Sequence, residues 1–176
     1  MSHRDRLYKT AIGQNGYVTT GDAASLGIAP AQLQLLAGRR GLTHVAYGLY
    51  RFDAMPASTT DEYMEAVLRV GPDAYLTHDA VLALHGLALV NPTRLRVGTP
   101  HRSRRRQPSN IEVIWRTLPP ADLTSYEAIP AATVRRALLD CRPLIMSERL
   151  HTAIDEAFER GLLTPGDVTD LHAQVA

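Results

Sequence analysis

Three observations predict an α+β protein with a winged helix-turn-helix in front of a small antiparallel sheet flanked by helices. Residues 13–52 read as helix, tight turn, helix and two-stranded ribbon. Residues 94–97, 111–115 and 126–129 carry strand-forming patterns. Between and after them, helical spacing recurs, which favours separate strands and helices over a doubly wound sheet. The expected organisation is a winged helix-turn-helix over residues 1–55 and an α+β unit over 56–176.

The first helix of the motif is expected over 20–26. Thr19 or Thr20 caps it, Asp22 places a carboxylate near the exposed amides of its first turn, and Gly27 ends it. The second begins at Pro30, whose missing amide costs nothing at a first helical position. Ile28 and Leu33 stand at staple spacing, and Leu33, Leu36 and Ala37 share one face that packs on the first helix. Gln32, Gln34, Arg39 and Arg40 remain outside that face and are the candidate base-reading residues. About eleven residues span roughly 16 Å, a rod that fits a major groove about 12 Å wide.

Gly41 breaks the rod. Residues 42–46 and 49–52 form the wing around Tyr47-Gly48, where His44, Tyr47 and Arg51 are placed to meet a phosphate or the minor groove. A support helix over 4–14 is expected to bury Leu7, Tyr8, Ala11 and Ile12. In the second half, helices are expected over 62–70, 77–85, 132–141, 147–160 and 164–176. The segment TPHRSRRRQPSN is expected as a long exposed loop or a hairpin.

A net charge of +1 conceals strong segregation. Residues 94–116 hold seven arginines against one acid, and residues 1–55 hold six basic residues against three acids. Residues 56–93 and 142–176 carry net charges of −4 and −3. Two basic segments in an acidic chain suit one surface meeting phosphates. Arg102, Arg104, Arg105 and Arg106 form the candidate phosphate clamp, with a solvated loop as the alternative. Only Lys9 is a lysine among nineteen basic residues, so part of the arginine content reflects composition.

Hydrophobic content of 45% and charged content of 21% are those of globular domains. No signal-peptide or membrane-spanning run occurs, so a cytoplasmic protein without membrane contact is expected. The lone Cys141 excludes an intramolecular disulfide and reads as a core residue.

No catalytic residues, metal site or cofactor are expected. His78 and His85 lie about 10 Å apart along one helix, too far to share a metal. Asp155 and Glu159 share a helical face, where an exposed acidic surface is the simpler explanation. A nuclease of the lysine-assisted type is disfavoured because Lys9 stands alone in the first helix. No phosphate loop or nucleophile elbow is present.

The stretches GYVTTGDAASLGIAPAQLQLLAGRRGLTHVAYGLYRF, AYLTHDAVLALHGL and AIPAATVRRALLDC, in that order, resemble the AbiEi family of bacterial antitoxins over roughly residues 10–141. The resemblance implies a type IV antitoxin whose N-terminal domain binds double-stranded DNA at its own promoter, at inverted repeats. It also implies a nucleotidyltransferase-type toxin as the partner to be countered. Site residues carried over are Gln32, Gln34, Arg39, Arg40 and Arg51, with the arginine loop as an extension. Some proteins with this front half continue into a nuclease-like domain; a chain of this length is expected to be an antitoxin or plain regulator. The alternative is direct binding of the toxin, with DNA affinity incidental.

Overall fold

The computed structural model describes residues 2–38, 41–102 and 105–175. The chain divides into two compact units, Met1–Arg69 and Val70–Ala176.

The first unit begins with α1 (His3–Ile12), β1 (Tyr17–Thr19), α2 (Thr20–Ser25) and α3 (Pro30–Ala37). β2 (Leu42–Ala46), β3 (Leu49–Phe52) and α4 (Asp61–Val70) follow. Local chemistry sets the helix starts. Ser2 and Asp5 close a reciprocal capping box on α1, and Thr19 and Asp22 do the same on α2, each satisfying amides that have no partner inside the helix. Gly27 takes φ +68 after α2, and Pro30 opens α3.

Three antiparallel strands in the order β1-β3-β2 make the sheet. β1 is not legible as a strand in the sequence, being only three residues long, and it turns β3 from a wing edge into the central strand. A two-stranded ribbon has no independent stability; the third strand and the helices supply the missing burial. Leu7, Ala11, Val18, Ala23, Ile28, Leu33, Leu42, Tyr50 and Phe52 form the core, with Leu36 and Ala37 packed against it. Ile12, expected on the buried side of α1, is 60% exposed because the helix ends there and the chain turns away toward β1.

Helix α4 joins this first unit instead of opening the second, which moves the boundary from residue 55 to residue 69. Arg51 bonds Asp61 at 2.9 Å, the Tyr17 hydroxyl donates to Glu65 at 2.9 Å, and Arg69 donates to the Val45 carbonyl at 3.3 Å. Polar side chains pin the helix to all three strands, which no periodicity in 53–70 announces.

The second unit contains β4 (Tyr75–Leu76), α5 (Asp79–Leu84), β5 (Leu95–Thr99), β6 (Ile111–Trp115), β7 (Leu123–Tyr126) and β8 (Ile129–Ala132). Helices α6 (Val134–Asp140), α7 (Ser147–Glu159) and α8 (Pro165–Gln174) complete it. Its five-stranded sheet has the order β6-β5-β4-β8-β7. The α+β class holds, but the sheet is mixed where an antiparallel one was expected: β5 pairs with β6, and β4 with β8, in parallel. The segment between β5 and β6 is therefore a crossover and not a hairpin, since parallel neighbours need a connection that returns the chain to its starting end.

The strand expected over 126–129 falls on a turn. Glu127 and Ala128 take φ +47 and +66, and the two strands lie on either side of them. This is the geometry of a tight hairpin turn that ordinarily selects Asn or Gly, so its usual signal is missing from the sequence.

Gly98 on β5 is fixed by close approach. A Cβ there would lie 2.3 Å from the Tyr75 ring, which crosses over the glycine so that its hydroxyl donates to the Arg116 carbonyl at 2.7 Å. Gly98→Ala is expected to lower stability by about 1–3 kcal/mol through overpacking. Adding Tyr75→Leu should recover part of that loss. Urea unfolding followed by the fluorescence of Trp115, the single tryptophan, measures both.

Candidate nucleic-acid interface

Helix α3 is the element whose outer side most resembles a recognition surface. Its one fully buried side chain is Leu33, with Leu36 and Ala37 half-buried beside it. At roughly 100° per residue, this anchor turns Ala31, Leu35 and Gly38 directly away from the core and sets Gln32 and Gln34 on the two flanks. Ala31, Gln32, Gln34, Leu35 and Gly38 are all exposed. Neither glutamine has a side-chain hydrogen bond within the described residues, so both amides remain available. Ala31, Gln34, Leu35 and Gly38 line a shallow open groove. Arg39 and Arg40 lie outside the described residues.

The wing divides its three candidates. Tyr47 at the hairpin tip is 78% exposed. His44 is also exposed, with its ring 5.0 Å from that of Tyr50. Arg51 is turned inward. Its guanidinium bonds Asp61, donates to the carbonyls of Met55 and Pro56, and lies 5.6 Å from the Tyr17 ring centre. The wing was expected to present Arg51 outward; the structure commits its fork to holding α4, which lies against the sheet face that Arg51 shares with Tyr17.

In the second unit, Arg102 stacks over the Trp115 ring at 5.0 Å from its centre. Trp115 is 56% exposed at the end of the edge strand β6, and Arg105 and Arg106 are exposed in the preceding loop. Arg104 lies outside the described residues. A guanidinium over an indole is a cation–π contact that leaves its edge donors open to a phosphate. Trp115 was not singled out from the sequence, although its place at the end of a strand beside an arginine loop is a readable signal.

A second concentration of charge is a structural polar layer. Asp140 on α6, 4% exposed, accepts from both Arg116 and Arg136. Arg116 also reaches the Thr77 hydroxyl at 3.4 Å, and Arg96 bridges Asp79 and Glu112. Three guanidinium groups thus meet three carboxylates. Burial pushes the Asp140 carboxyl up, but hydrogen bonds from Arg116 and Arg136 outweigh it and hold it below the ordinary aspartate range. Burial pushes the neighbouring Cys141 thiol up to about 12, which makes it a poor nucleophile.

The histidines are similarly dispersed. His78, at φ +54 between β4 and α5, bonds Thr77, while His85 packs on Tyr126. Burial lowers both titrations, with Asp140 partly offsetting it at His78 and Arg160 reinforcing it at His85. Asp155, expected on a bare acidic face, bonds His172 at 2.9 Å, and His172 stacks on His151. Among the described residues no three His, Cys, Asp or Glu converge as metal ligands. No described helix is long and apolar enough to cross a membrane. Comparison with protein-family models finds no match, and comparison with curated proteins finds none.

Because the folded carboxyl of Asp140 titrates below its unfolded value, its contribution is fully present above the unfolded value near 4 and is lost as pH falls through the lowered folded value. Asp140→Asn should cost roughly 2 kcal/mol at neutral pH, less than a fully buried pair because both guanidinium groups are partly exposed. The gap to the wild type should close below about pH 4. Urea titrations at neutral and acid pH test the sign.

Proposed function

We propose that the chain is a non-catalytic DNA-binding autorepressor and the antitoxin of a toxin–antitoxin pair, countering a nucleotidyltransferase-type toxin. The observation that carries this reading is the exposed outer side of α3, mounted on a three-stranded winged frame, its glutamine amides without hydrogen-bond partners among the described residues. A helix so presented matches the geometry by which helix-turn-helix proteins enter a major groove. Exposed Tyr47 and His44 on the wing support flanking contacts, and Arg102, Arg105 and Arg106 support an added, sequence-independent attraction to phosphates. The antitoxin part rests on the sequence resemblance over roughly residues 10–141.

A second reading, direct contact with the toxin, is favoured by the net charge of −3 over residues 142–176, since a protein that handles nucleic acid presents a basic surface.

Electrophoretic shift of the DNA upstream of its own gene, against a scrambled duplex at physiological salt, tests the repressor reading; equal affinity for the two would remove it. Alanine at Arg102, Arg105 and Arg106 together should weaken binding to all duplexes alike. It should also lower the slope of log K against log salt by about one for each phosphate that is no longer neutralised. Co-purification with the product of the adjacent gene tests the second reading.

A further inference from the structure

We infer that α3 is built to read A·T base pairs, with Leu35 and Ala31 against thymine methyl groups and Gln34 and Gln32 on adenine edges. The inference rests on the DNA-binding reading above and specifies what that surface recognises.

The buried Leu33 fixes the rotation of the helix, so the centre of its outer face is Ala31, Leu35 and Gly38. That centre is apolar, and Leu35 keeps 66% of its surface exposed at no benefit to the core. The flanks carry the two amides. Residues Pro30–Ala37 contain no charged side chain.

Each of these properties excludes something. Guanine offers two acceptors, N7 and O6, and is read best by the paired donors of arginine or by lysine. Pro30–Ala37 carries neither, and Arg39 and Arg40 follow it outside the described residues, so the inference concerns the pairs read by this stretch alone. Adenine offers an acceptor beside a donor, N7 and N6, which a glutamine amide matches with its own donor and acceptor. Its partner thymine carries a C5 methyl, an apolar group in the major groove that cytosine lacks. A leucine between glutamines is therefore complementary to A·T pairs and leaves its own methyl groups against water on G·C pairs. A protein partner fits less well: one leucine, one alanine and a glycine fall far short of the roughly 800 Å² that each side of a stable interface buries.

The probe is a library of duplexes with a random core of about two helical turns, selected for binding by the full chain. Individual thymines in the selected site are then replaced by deoxyuridine, which removes only the methyl. We expect A·T pairs at the contacted step and about a fourfold loss of affinity on replacing the contacted thymine, the value of one buried methyl. Leu35→Ala should bind more weakly and lose its response to uracil at the thymine that Leu35 contacts, while keeping any response at a thymine under Ala31. Gln34→Ala should lose about tenfold or more on the selected site. Both side chains are exposed, so neither change threatens the fold, and matched circular dichroism checks this.

Selection of G·C pairs at the contacted step overturns the inference while leaving DNA binding in place, as does indifference of the wild type to uracil at every thymine. A Leu35→Ala variant with unchanged DNA affinity but altered self-association assigns the face to a protein contact and also overturns it. Failure to select or shift any duplex removes the DNA-binding reading itself, and this inference with it.

Discussion

The burial of Leu33 is the constraint on which the candidate interface depends. Helix α3 is only eight residues long and has one fully buried side chain. A short helix has its rotation set by the side chains it buries, and here Leu33 joins the core that includes Leu7, Ala23, Ile28 and Phe52, with Leu36 and Ala37 packed against it. What faces solvent follows from the phase, and so does the separation of an apolar centre from its amide flanks. Removing the anchor would cost more than packing energy, because the outward residues would lose their fixed direction.

The same frame explains why the wing carries fewer reaching cations than its sequence suggests. Pairing with β1 sets Tyr17 beside Arg51 on one face of the sheet, and α4 bonds both of them there. Arg51 accordingly bonds Asp61 and the carbonyls of the 55–56 segment, which links the sheet to α4. The exposed wing residues are those at the tip and on the edge strand β2: Tyr47, Thr43 and His44. A basic residue in a recognition module is thus no evidence of a phosphate contact until its partners are known.

In the second unit, charge serves packing and surface in separate places. In the layer of Arg116, Arg136 and Asp140 with Arg96, Asp79 and Glu112, each guanidinium has a carboxylate within reach, although Asp79 Oδ1 and Arg116 Nε are buried without a hydrogen-bond partner among the described residues. Such a layer contributes little net energy relative to an apolar one, but losing one partner leaves charge stranded, so it fixes the placement of α5 and α6 over the sheet. Arg102 is placed differently: its guanidinium lies over the exposed indole of Trp115.

Sequence alone determined what short-range chemistry controls. The cap at Thr19, the turn at Gly27, the start of α3 at Pro30, the wing strands and the three C-terminal helices all follow from residues within a few positions of each other. So do the exposure of Gln32 and Gln34 and the burial of Leu33. Only the tertiary structure decided the inward turn of Arg51, the transfer of α4 to the first unit, the short strands β1 and β4, and the parallel pairing of β5 with β6. It also decided the Glu127-Ala128 turn, whose residues carry no left-handed preference. The division has one physical cause: caps and helical phase are interactions between near neighbours in the chain. Strand pairing and ion-pair choice join residues well separated in the chain, as Leu76 with Ala131, Arg51 with Asp61 and Arg116 with Asp140, and no local pattern encodes which partner wins.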